Sequence, residues 1–285
     1  MIQVKNIDFS YGRRKAPIFT GFDLELRAGR VYGLLGKNGT GKSTLLYLMA
    51  GLLRPQRGEV LTNGWPAVER KPEMLQDIFF VPEEFFLPNV SLQAYVKRMA
   101  SLYPRFNIAL LAECLAEFGL PETLQLGTLS MGQKKKVLMS IALASGCRIL
   151  LMDEPTNGLD IPSKSVFRKV VARCMTDERL MVLSTHQVRD VEMLLDHVVM
   201  IEGTRLLLDR SMNDIAAAVR VEERPTSAST ADALMVQPSL QGNLVLVPAE
   251  GETDESAVNL ELVFCCAEQG KLPASLYGAS SSEEV

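Results

Sequence analysis

Gly36-Lys37-Asn38-Gly39-Thr40-Gly41-Lys42-Ser43-Thr44 is the stretch that decides the fold of this chain. The apolar run at 31–35 before it predicts a short buried strand, and the run at 45–50 after it predicts a helix. Strand, glycine-rich turn and helix together form the context that the phosphate-binding pattern G-x-x-x-x-G-K-S/T requires. The sequence therefore predicts a nucleotide-binding turn between a strand and a helix.

The residue types in this turn suit a bound triphosphate. Glycines let the backbone curl until several N–H groups point at one anion, and the helix N-terminus adds the positive end of its dipole. Lys42 supplies a mobile positive charge for the outer phosphates, and the Ser43 hydroxyl suits magnesium. An ordinary glycine turn is the alternative, but the pattern arises by chance in roughly one chain in a hundred of this length. The predicted nucleotide ligands here are Gly36, Asn38, Gly39, Thr40, Gly41, Lys42, Ser43 and Thr44.

The composition is that of an ordinary globular protein with room for one large domain and an appendage. The 285 residues are 47% hydrophobic and 22% charged. No apolar run reaches the roughly 18 residues of a membrane span, and the first residues lack the apolar core of a secretory signal. The five cysteines have no C-x-x-C spacing, which predicts small buried residues in a reducing cytoplasm and neither a metal site nor a disulfide framework.

Charge divides the chain near Ser211. Residues 212–285 carry 3 Lys and Arg against 12 Asp and Glu, a net −9, whereas 1–211 carry 27 against 22, a net +5. We therefore predict a boundary there, followed by an acidic appendage at 212–285. Its charge argues against nucleic acid as a partner.

Antiparallel strands are predicted near the N-terminus. Partial alternation at 2–9 and 22–27 predicts two strands with one wet face. The run 59–62 predicts another, which turns at Asn63-Gly64 into a hairpin. Tyr11 stands at the end of the first strand, where its ring suits stacking on a nucleotide base, although simple packing is the alternative.

A buried strand and a helical insertion follow. The run 78–81 predicts a strand whose end carries Glu83, at the edge where α/β folds place their ligands. From 91 to 123 the pattern turns helical, with Ser91 as the N-cap of a first helix. We expect an inserted, mostly helical lobe at about 88–130.

A further helix is predicted to begin at an exposed cap. Leu129-Ser130-Met131-Gly132-Gln133 opens it, with Ser130 in the N-cap position. The free N–H groups of this helix end form a second anion site. The lysine run 134–136 beside it is either a solvated face or a help in attracting phosphate.

Two carboxylates end the apolar strand predicted at 149–152. Adjacent carboxylates at a buried strand are costly without a cation. Magnesium is the obvious cation near Lys42 and Ser43, and Asp153 is its predicted ligand. Glu154 points the other way by strand alternation and is predicted to orient or deprotonate a water.

The next core strand, predicted at 180–184, presents His186 at its end. Beside the predicted phosphate site this histidine suits donation to a γ-phosphate, although a lone histidine is more often a structural residue. His197, inside an apolar strand, is predicted to be structural.

In this order the motifs resemble the nucleotide-binding domain of ABC transporters over residues 1–210. Tyr11 resembles the adenine-stacking aromatic and His186 the switch histidine. The remaining matches are 36–44 with the Walker A loop, 129–133 with the signature, 149–154 with Walker B and 158–160 with the D-loop. Two positions depart from the family pattern, because Met131 replaces a signature glycine and Glu83 stands at the Q-loop glutamine.

The resemblance implies a fold and a set of roles. The fold is α/β, a P-loop NTPase of the ABC ATPase type with a mixed sheet core, an antiparallel β lobe, a helical subdomain and a small C-terminal appendage. The ATP-binding domain is expected at 1–211, with ATP and magnesium as cofactors. The implied catalytic residues are Lys42, Glu154 and His186; the implied metal contacts are Ser43, Glu83 and Asp153; and Tyr11, Ser130, Gly132, Gln133 and Asp160 join the Walker A residues as nucleotide ligands.

The resemblance also implies partners. Two such domains close head to tail on ATP, as a homodimer or with a paired ATPase subunit, so that the phosphate loop of one faces the Ser130 helix of the other. A separate transmembrane permease subunit is expected to dock near Glu83 and the helical lobe. The implied location is cytoplasmic, peripheral on the inner face of the cell membrane, and export is the favoured direction by likeness to bacterial exporters.

Two other classes of function remain open. A soluble ABC ATPase that acts in assembly or mechanochemical work, without a membrane partner, is the main alternative. A nucleotide sensor without turnover is disfavoured, because Asp153, Glu154 and His186 are all present.

The appendage carries no catalytic motif. Residues 214–221 predict a helix, 222–230 a linker, and the apolar segments 244–247 and 260–264 a strand pair or a strand and a helix. The serine-rich end from 270 onward predicts disorder. A regulatory or dimer-contact role is a hypothesis.

Overall fold

The fold is seen in a computed structural model of the chain, which describes residues 1–12, 14–249 and 258–277. The strands are β1 (Ile2–Phe9), β2 (Phe19–Leu26), β3 (Arg30–Leu35), β4 (Arg57–Thr62), β5 (Trp65–Pro66), β6 (Ile78–Val81), β7 (Ile149–Asp153), β8 (Leu180–Thr185), β9 (His197–Glu202), β10 (Arg205–Ser211), β11 (Val219–Arg224), β12 (Met235–Ser239) and β13 (Gly242–Pro248). The helices are α1 (Lys42–Met49), α2 (Pro72–Leu75), α3 (Leu92–Leu102), α4 (Ile108–Glu117), α5 (Met131–Ala144), α6 (Ile161–Cys174), α7 (Met212–Ala218) and α8 (Leu260–Glu268).

The N-terminal strands form the predicted antiparallel sheet, in the order β2-β1-β4-β5. The register pairs Ile2 with Leu26 on one side and with Thr62 on the other. Asn63 adopts a left-handed backbone with φ of 50°, which fits the tight turn between β4 and β5. The hairpin predicted at Asn63-Gly64 is therefore confirmed.

The central sheet positions the site. Its order is β10-β9-β3-β8-β7-β6; the neighbours from β9 to β6 are parallel, and β10 runs antiparallel at the edge. Strands β7 and β8 are buried along their whole length, which explains their continuous apolar runs. Because β3, β8 and β7 are parallel neighbours, the phosphate turn, His186 and Glu154 follow them at one edge of the sheet.

The helical insertion lies between β6 and β7, as predicted. The side chain of Ser91 accepts a hydrogen bond from the Ala94 N–H at 3.2 Å and so caps α3. Asn107 caps α4 in the same way through the Leu110 N–H, at 3.0 Å. Helix α4 then packs against α5, which ties the insertion to the helix that follows.

The appendage departs from the prediction at two points. Helix α7 ends at Ala218 and not at Val221, and β11 occupies part of the stretch predicted as a linker at 222–230. Both differences have one cause, since the apolar strand β13 pairs with β11 on one side and β12 on the other. Val221, for example, pairs with Leu246. As a strand, this stretch makes backbone hydrogen bonds that it would not make as a linker.

The second apolar segment of the appendage forms α8, so the strand-and-helix alternative is the correct one. The predicted disorder is wrong for 270–277, because Leu272 and Leu276 are buried there against the core. Residues 278–285 lie outside the described residues. The division of the chain at Ser211 stays a prediction.

Among the residues described, no helix is both long enough and apolar enough to cross a membrane. All five cysteines are free, and four of them are buried. The same part of the chain contains no cluster of three or more His, Cys, Asp and Glu side chains that would hold a metal by themselves.

Candidate functional site

The glycine-rich turn joins the buried strand β3 to helix α1. Gly41 precedes the helix with φ of 104°, a left-handed backbone that side chains rarely adopt. A Cβ at this position would lie 2.6 Å from the Ile18 side chain. Helix α1 begins at Lys42, so the unpaired N–H groups of its first turn face the loop. The turn thus has the geometry of an anion site at a helix N-terminus.

Lys42 lies beneath this turn and is only 5% exposed. Its Nζ donates to the carbonyl oxygens of Gly36, at 2.8 Å, and Lys37, at 3.1 Å. The same Nζ is 3.9 Å from Glu154 Oε1. Burial lowers the pKa of Lys42, and the negative charge of nearby carboxylates, Glu154 first among them, acts in the opposite direction. A cation is therefore held at the centre of the phosphate turn.

Glu154 is a buried carboxylate on a strained backbone. Its φ of 46° lies in the left-handed region, which costs a non-glycine residue about 1–3 kcal/mol. The carboxylate accepts hydrogen bonds from the Thr185 hydroxyl, at 3.2 Å, and from the His186 backbone N–H, at 3.1 Å. Its Oε1 also lies 2.8 Å from His186 Nδ1. The end of β8 thus aims the Glu154 carboxylate toward Lys42.

Asp153 and Ser43 present oxygen atoms that suit a hard cation. Asp153 is buried, and its carboxylate accepts a hydrogen bond from the Ser184 hydroxyl. Ser43 is half-buried in the first turn of α1. Carboxylate and hydroxyl oxygens are the donors that magnesium prefers, with phosphate and water completing its shell. These residues fit magnesium, although the metal role of each stays a prediction.

Tyr11 lies next to the phosphate turn, as its predicted role requires. Its hydroxyl is 3.0 Å from Thr44 Oγ1, and its ring packs edge-on against Phe9 with centroids 5.1 Å apart. Tyr11 is about half exposed. Stacking on adenine stays a prediction.

Helix α5 carries the second predicted anion site. Ser130 Oγ accepts the Gln133 N–H at 3.3 Å, and Gln133 Oε1 accepts the Ser130 N–H at 3.0 Å, which together form a capping box. The hydroxyl proton of Ser130 is still free to donate to another acceptor. Met131 is 61% exposed and Gly132 half-buried, so this helix end is open to solvent despite the departure at Met131.

Glu83 and Asp160 make local contacts. Asn157 Nδ2 donates to Glu83 Oε1 at 2.9 Å, which ties Glu83 to the turn after β7. Asp160 caps α6 by accepting the Ser163 N–H at 2.9 Å, and hydrogen bonds from Ser163 lower the pKa of Asp160. The metal role of Glu83 and the nucleotide role of Asp160 stay predictions.

The predicted residues divide between two cavities. One of about 260 Å³ is lined by Gly36, Asn38 and His186. The other, of about 530 Å³, is lined by Glu83 and Gly132. The phosphate turn and the capped end of α5 therefore open into different cavities of one protomer.

Lys135 is a site neighbour that the sequence pattern did not reveal, because neither interpretation of the lysine run placed it inside the protein. It is 4% exposed, and its Nζ donates to the carbonyl oxygens of Glu154, at 2.6 Å, and Asn157, at 2.9 Å. The helical spacing that puts it on the same face as the buried Leu138 and Met139 was a usable signal.

The position of helix α8 is the second feature that the sequence pattern did not reveal. The helix docks beside the phosphate turn, although the two are more than 200 residues apart in sequence. Glu268 Oε1 lies 2.7 Å from Lys37 Nζ. This hydrogen-bonded partner raises the pKa of Lys37. Phe264 lines the same cavity as His186. No local sequence pattern predicts so distant a contact.

We expect Glu268→Gln to lower the KM for ATP about two- to fivefold, the scale of a partly exposed ion pair. The change removes a negative charge beside the phosphate turn and leaves the Lys37 ammonium without its counter-charge. The effect should shrink at high salt. Steady-state ATP hydrolysis at two salt concentrations measures it. Glu261→Gln is the control, because Glu261 lies on the same helix as Glu268 and the substitution breaks its 2.6 Å ion pair with Arg189. A KM for Glu268→Gln that is equal to or higher than that of the parent chain would contradict the prediction.

Comparison with known proteins places this arrangement in one family. The family model described as ABC transporter matches residues 19–157. The chain is 30% identical over 207 residues to the ABC transporter ATP-binding protein NatA of Bacillus subtilis, covering 70% of this chain and 84% of NatA. It is 33% identical over 204 residues to the aliphatic sulfonates import ATP-binding protein SsuB of Pseudomonas entomophila, covering 70% and 72%. It is 28% identical to the Nod factor export ATP-binding protein I of Cupriavidus metallidurans, covering 75% and 72%.

Solved structures show the same fold. An ATP-binding subunit of an ABC transporter superposes with a TM-score of 0.69 at 24% identity, covering 75% of this chain and 91% of that one. A dimeric ATP-binding cassette in a post-hydrolysis state bound to ADP and Pi superposes with a TM-score of 0.64 at 22% identity, covering 74% and 99%. The predicted fold class is therefore confirmed. With its phosphate turn, paired acidic residues and strand-end histidine, this chain belongs to the ABC transporter ATP-binding proteins and is an ATPase.

Proposed function

We propose that this chain is the ATP-hydrolysing subunit of an exporter, that it closes on ATP as a homodimer, and that it works with a separate transmembrane subunit. The observation that carries the catalytic part is the convergence of Lys42, Glu154 and His186 at the ends of three parallel strands. In this proposal residues 1–211 form the ATP-binding domain, and 212–285 form the appendage.

The side chains around the phosphate turn divide the chemistry among them. Lys42 and the free N–H groups of α1 bind the outer phosphates and offset their charge. Glu154 accepts a proton from the attacking water. His186 Nδ1 faces Glu154 Oε1 at 2.8 Å, and its Nε2 lies 3.4 Å from the side-chain nitrogen of Gln187. Donation from Nε2 to the γ-phosphate replaces that contact and requires the doubly protonated ring. Ser43 and Asp153 would hold magnesium, which when bound supplies charge neutralisation and a template for the phosphates.

The other face of the nucleotide is proposed to come from the second copy. Ser130 Oγ accepts a hydrogen bond from its own helix and retains a proton to donate, so a phosphate oxygen of the partner's ATP is a suitable acceptor. The open end of α5 adds a positive dipole. Closure then depends on the γ-phosphate, because two cationic surfaces share one anion.

A membrane subunit is proposed to dock between the helical lobe and the core. Phe86 is 84% exposed and lies three residues beyond Glu83. A groove of about 520 Å³ is lined by several apolar side chains from both parts, including Leu52, Leu75, Phe80 and Leu102. A large exposed aromatic ring and an apolar groove are each features that suit a partner helix.

We expect Phe86→Ala to reduce recovery of a transmembrane partner at least fivefold, because the ring is the exposed anchor of this surface. The measurement is co-purification of the tagged full chain from detergent-solubilised membranes. Leu240→Ala, at a fully exposed turn of the C-terminal sheet, is the control. Equal recovery with both variants would place the partner elsewhere.

The same purification tests the function as a whole. A chain bound to the inner face of the membrane should co-purify with a transmembrane subunit. Inside-out vesicles reconstituted with both subunits should then accumulate the substrate when ATP is added. Loss of preloaded substrate would indicate import, the function named for the SsuB relative. Full ATP turnover with recovery only from the membrane-free fraction would favour the alternative, an ATPase of assembly or mechanochemical work.

A further inference from the structure

Lys135 lies where three segments of the site meet. It belongs to α5, the helix with the capped anion site, yet its Nζ bonds to the carbonyls of Glu154 and Asn157 in the turn after β7. Asn157 in turn donates its side-chain N–H to Glu83 at 2.9 Å. One buried ammonium thus connects α5, the catalytic turn and the segment after β6.

The backbone of Glu154 needs support on both sides because its left-handed conformation is unfavourable for glutamate. On the amide side, its N–H donates to the backbone carbonyl of Ser184 at 3.1 Å. On the carbonyl side, the acceptor is shared by the Lys135 ammonium, at 2.6 Å, and the Asn157 N–H, at 3.2 Å. The shorter and charged bond is the one from Lys135, and charge-assisted bonds are the stronger kind.

The charge of Lys135 also has a local purpose. Burial lowers its pKa, and the carboxylates of Glu83, Glu154 and Asp153 oppose that change, Glu83 most strongly. Glu83 stands where the family has a neutral glutamine, so this site carries one more negative charge than the family pattern. Lys135 and Glu83 line the same cavity of about 530 Å³. Glu83 is exposed and Lys135 is buried, so the ammonium offsets the additional carboxylate across this cavity and not through a direct ion pair.

We propose that Lys135 is a positioning residue that fixes the backbone of Glu154 and supplies the counter-charge for Glu83. The inference rests on the proposed catalytic role of Glu154. It assigns two parts to the ammonium, a hydrogen-bond donor to the Glu154 carbonyl and a positive charge beside Glu83, and the two parts can be separated by substitution.

Four variants of the full-length chain separate them. Lys135→Met removes the donor and the charge, Lys135→Gln retains a donor without charge, and both are combined with Glu83→Gln. We expect each single change at Lys135 to lower kcat about tenfold or more, while the Kd for ATP changes less than threefold, because Lys42 and the phosphate turn are untouched. Lys135→Gln should cost much less, about threefold or less, when Glu83→Gln is already present.

The readouts are kcat, the Kd for ATP from equilibrium binding, and the free energy of unfolding in urea. Lys169→Gln is the control, because this exposed lysine pairs with Glu117 on the helical side of the protein, and it should retain the parent kcat. If a single variant is too unstable to assay, recovery of its stability by Glu83→Gln supports the same coupling. A kcat for Lys135→Gln within twofold of the parent would overturn the proposal. So would a loss of kcat on Lys135→Gln that is the same in the parent chain and in the Glu83→Gln background.

Failure of the proposed function has a different signature. If Glu154→Gln hydrolyses ATP at the parent rate, the catalytic role of Glu154 is wrong whatever Lys135 does. If Glu154→Gln is inactive but the Lys135 variants are unaffected, only the inference about Lys135 falls.

Discussion

Glu154→Gln is expected to lower kcat for ATP hydrolysis about 10²- to 10⁴-fold, the scale of a lost general base. The amide is nearly the same shape as the carboxylate. With its oxygen at the Oε1 position it still accepts the His186 N–H, and its NH2 at the Oε2 position donates to the Thr185 hydroxyl oxygen. An amide cannot accept a proton from water. The variant therefore retains the geometry of the site but cannot carry out the proton transfer from the attacking water. Single-turnover hydrolysis of ATP measures the effect directly.

The same variant should trap the closed dimer, because ATP binds and is not consumed. Size-exclusion chromatography with ATP should show a dimer peak that the parent chain loses as it turns over its nucleotide. Glu178→Gln, which removes an exposed carboxylate paired with Arg148, is the control for a generic loss of charge. Hydrolysis at the parent rate would show that another residue accepts the proton.

Lys42→Ala is expected to raise the Kd for ATP about 10- to 100-fold and to bring turnover close to background. Truncation removes a charged donor from the phosphates, a loss typical of hydrogen bonds to ionised groups. It also leaves the Gly36 and Lys37 carbonyls without the ammonium that they share. Equilibrium binding of ATP separates the loss of affinity from the loss of rate.

The control for Lys42 is Lys169→Ala, which removes an exposed ammonium that pairs with Glu117 on the helical side of the protein. Its Kd and kcat should match the parent chain. If Lys42→Ala bound and hydrolysed ATP without loss, the glycine-rich turn would not be the phosphate site, and the roles proposed for its neighbours would fail with it.

The central part of the fold was predictable because its signals are local. A buried parallel strand produces an apolar run, and a phosphate turn needs glycines and a lysine at fixed spacing. The caps of α3 and α5, at Ser91 and Ser130, follow from a residue type placed just before a helical pattern. Each of these features is decided by residues within a few positions of one another.

The features that escaped prediction depend on distant residues. The strand β11 exists because β13, more than 15 residues further on, offers a free edge, and the local pattern there favoured a helix and a linker. The pair between Lys37 and Glu268 joins residues more than 200 positions apart. Lys135 escaped prediction for another reason. A run of three lysines indicates an exposed helix face, although the middle lysine faces the interior.

The separate cavities of the phosphate turn and the α5 cap have a kinetic consequence. If two copies close on ATP as proposed, a lone protomer presents each half of the nucleotide site on a different surface and does not enclose ATP. At high dilution the observed velocity should therefore rise with the square of protein concentration and become linear only once pairs predominate. A membrane subunit that binds two copies side by side would abolish that dilution effect, which makes tethering itself a source of rate.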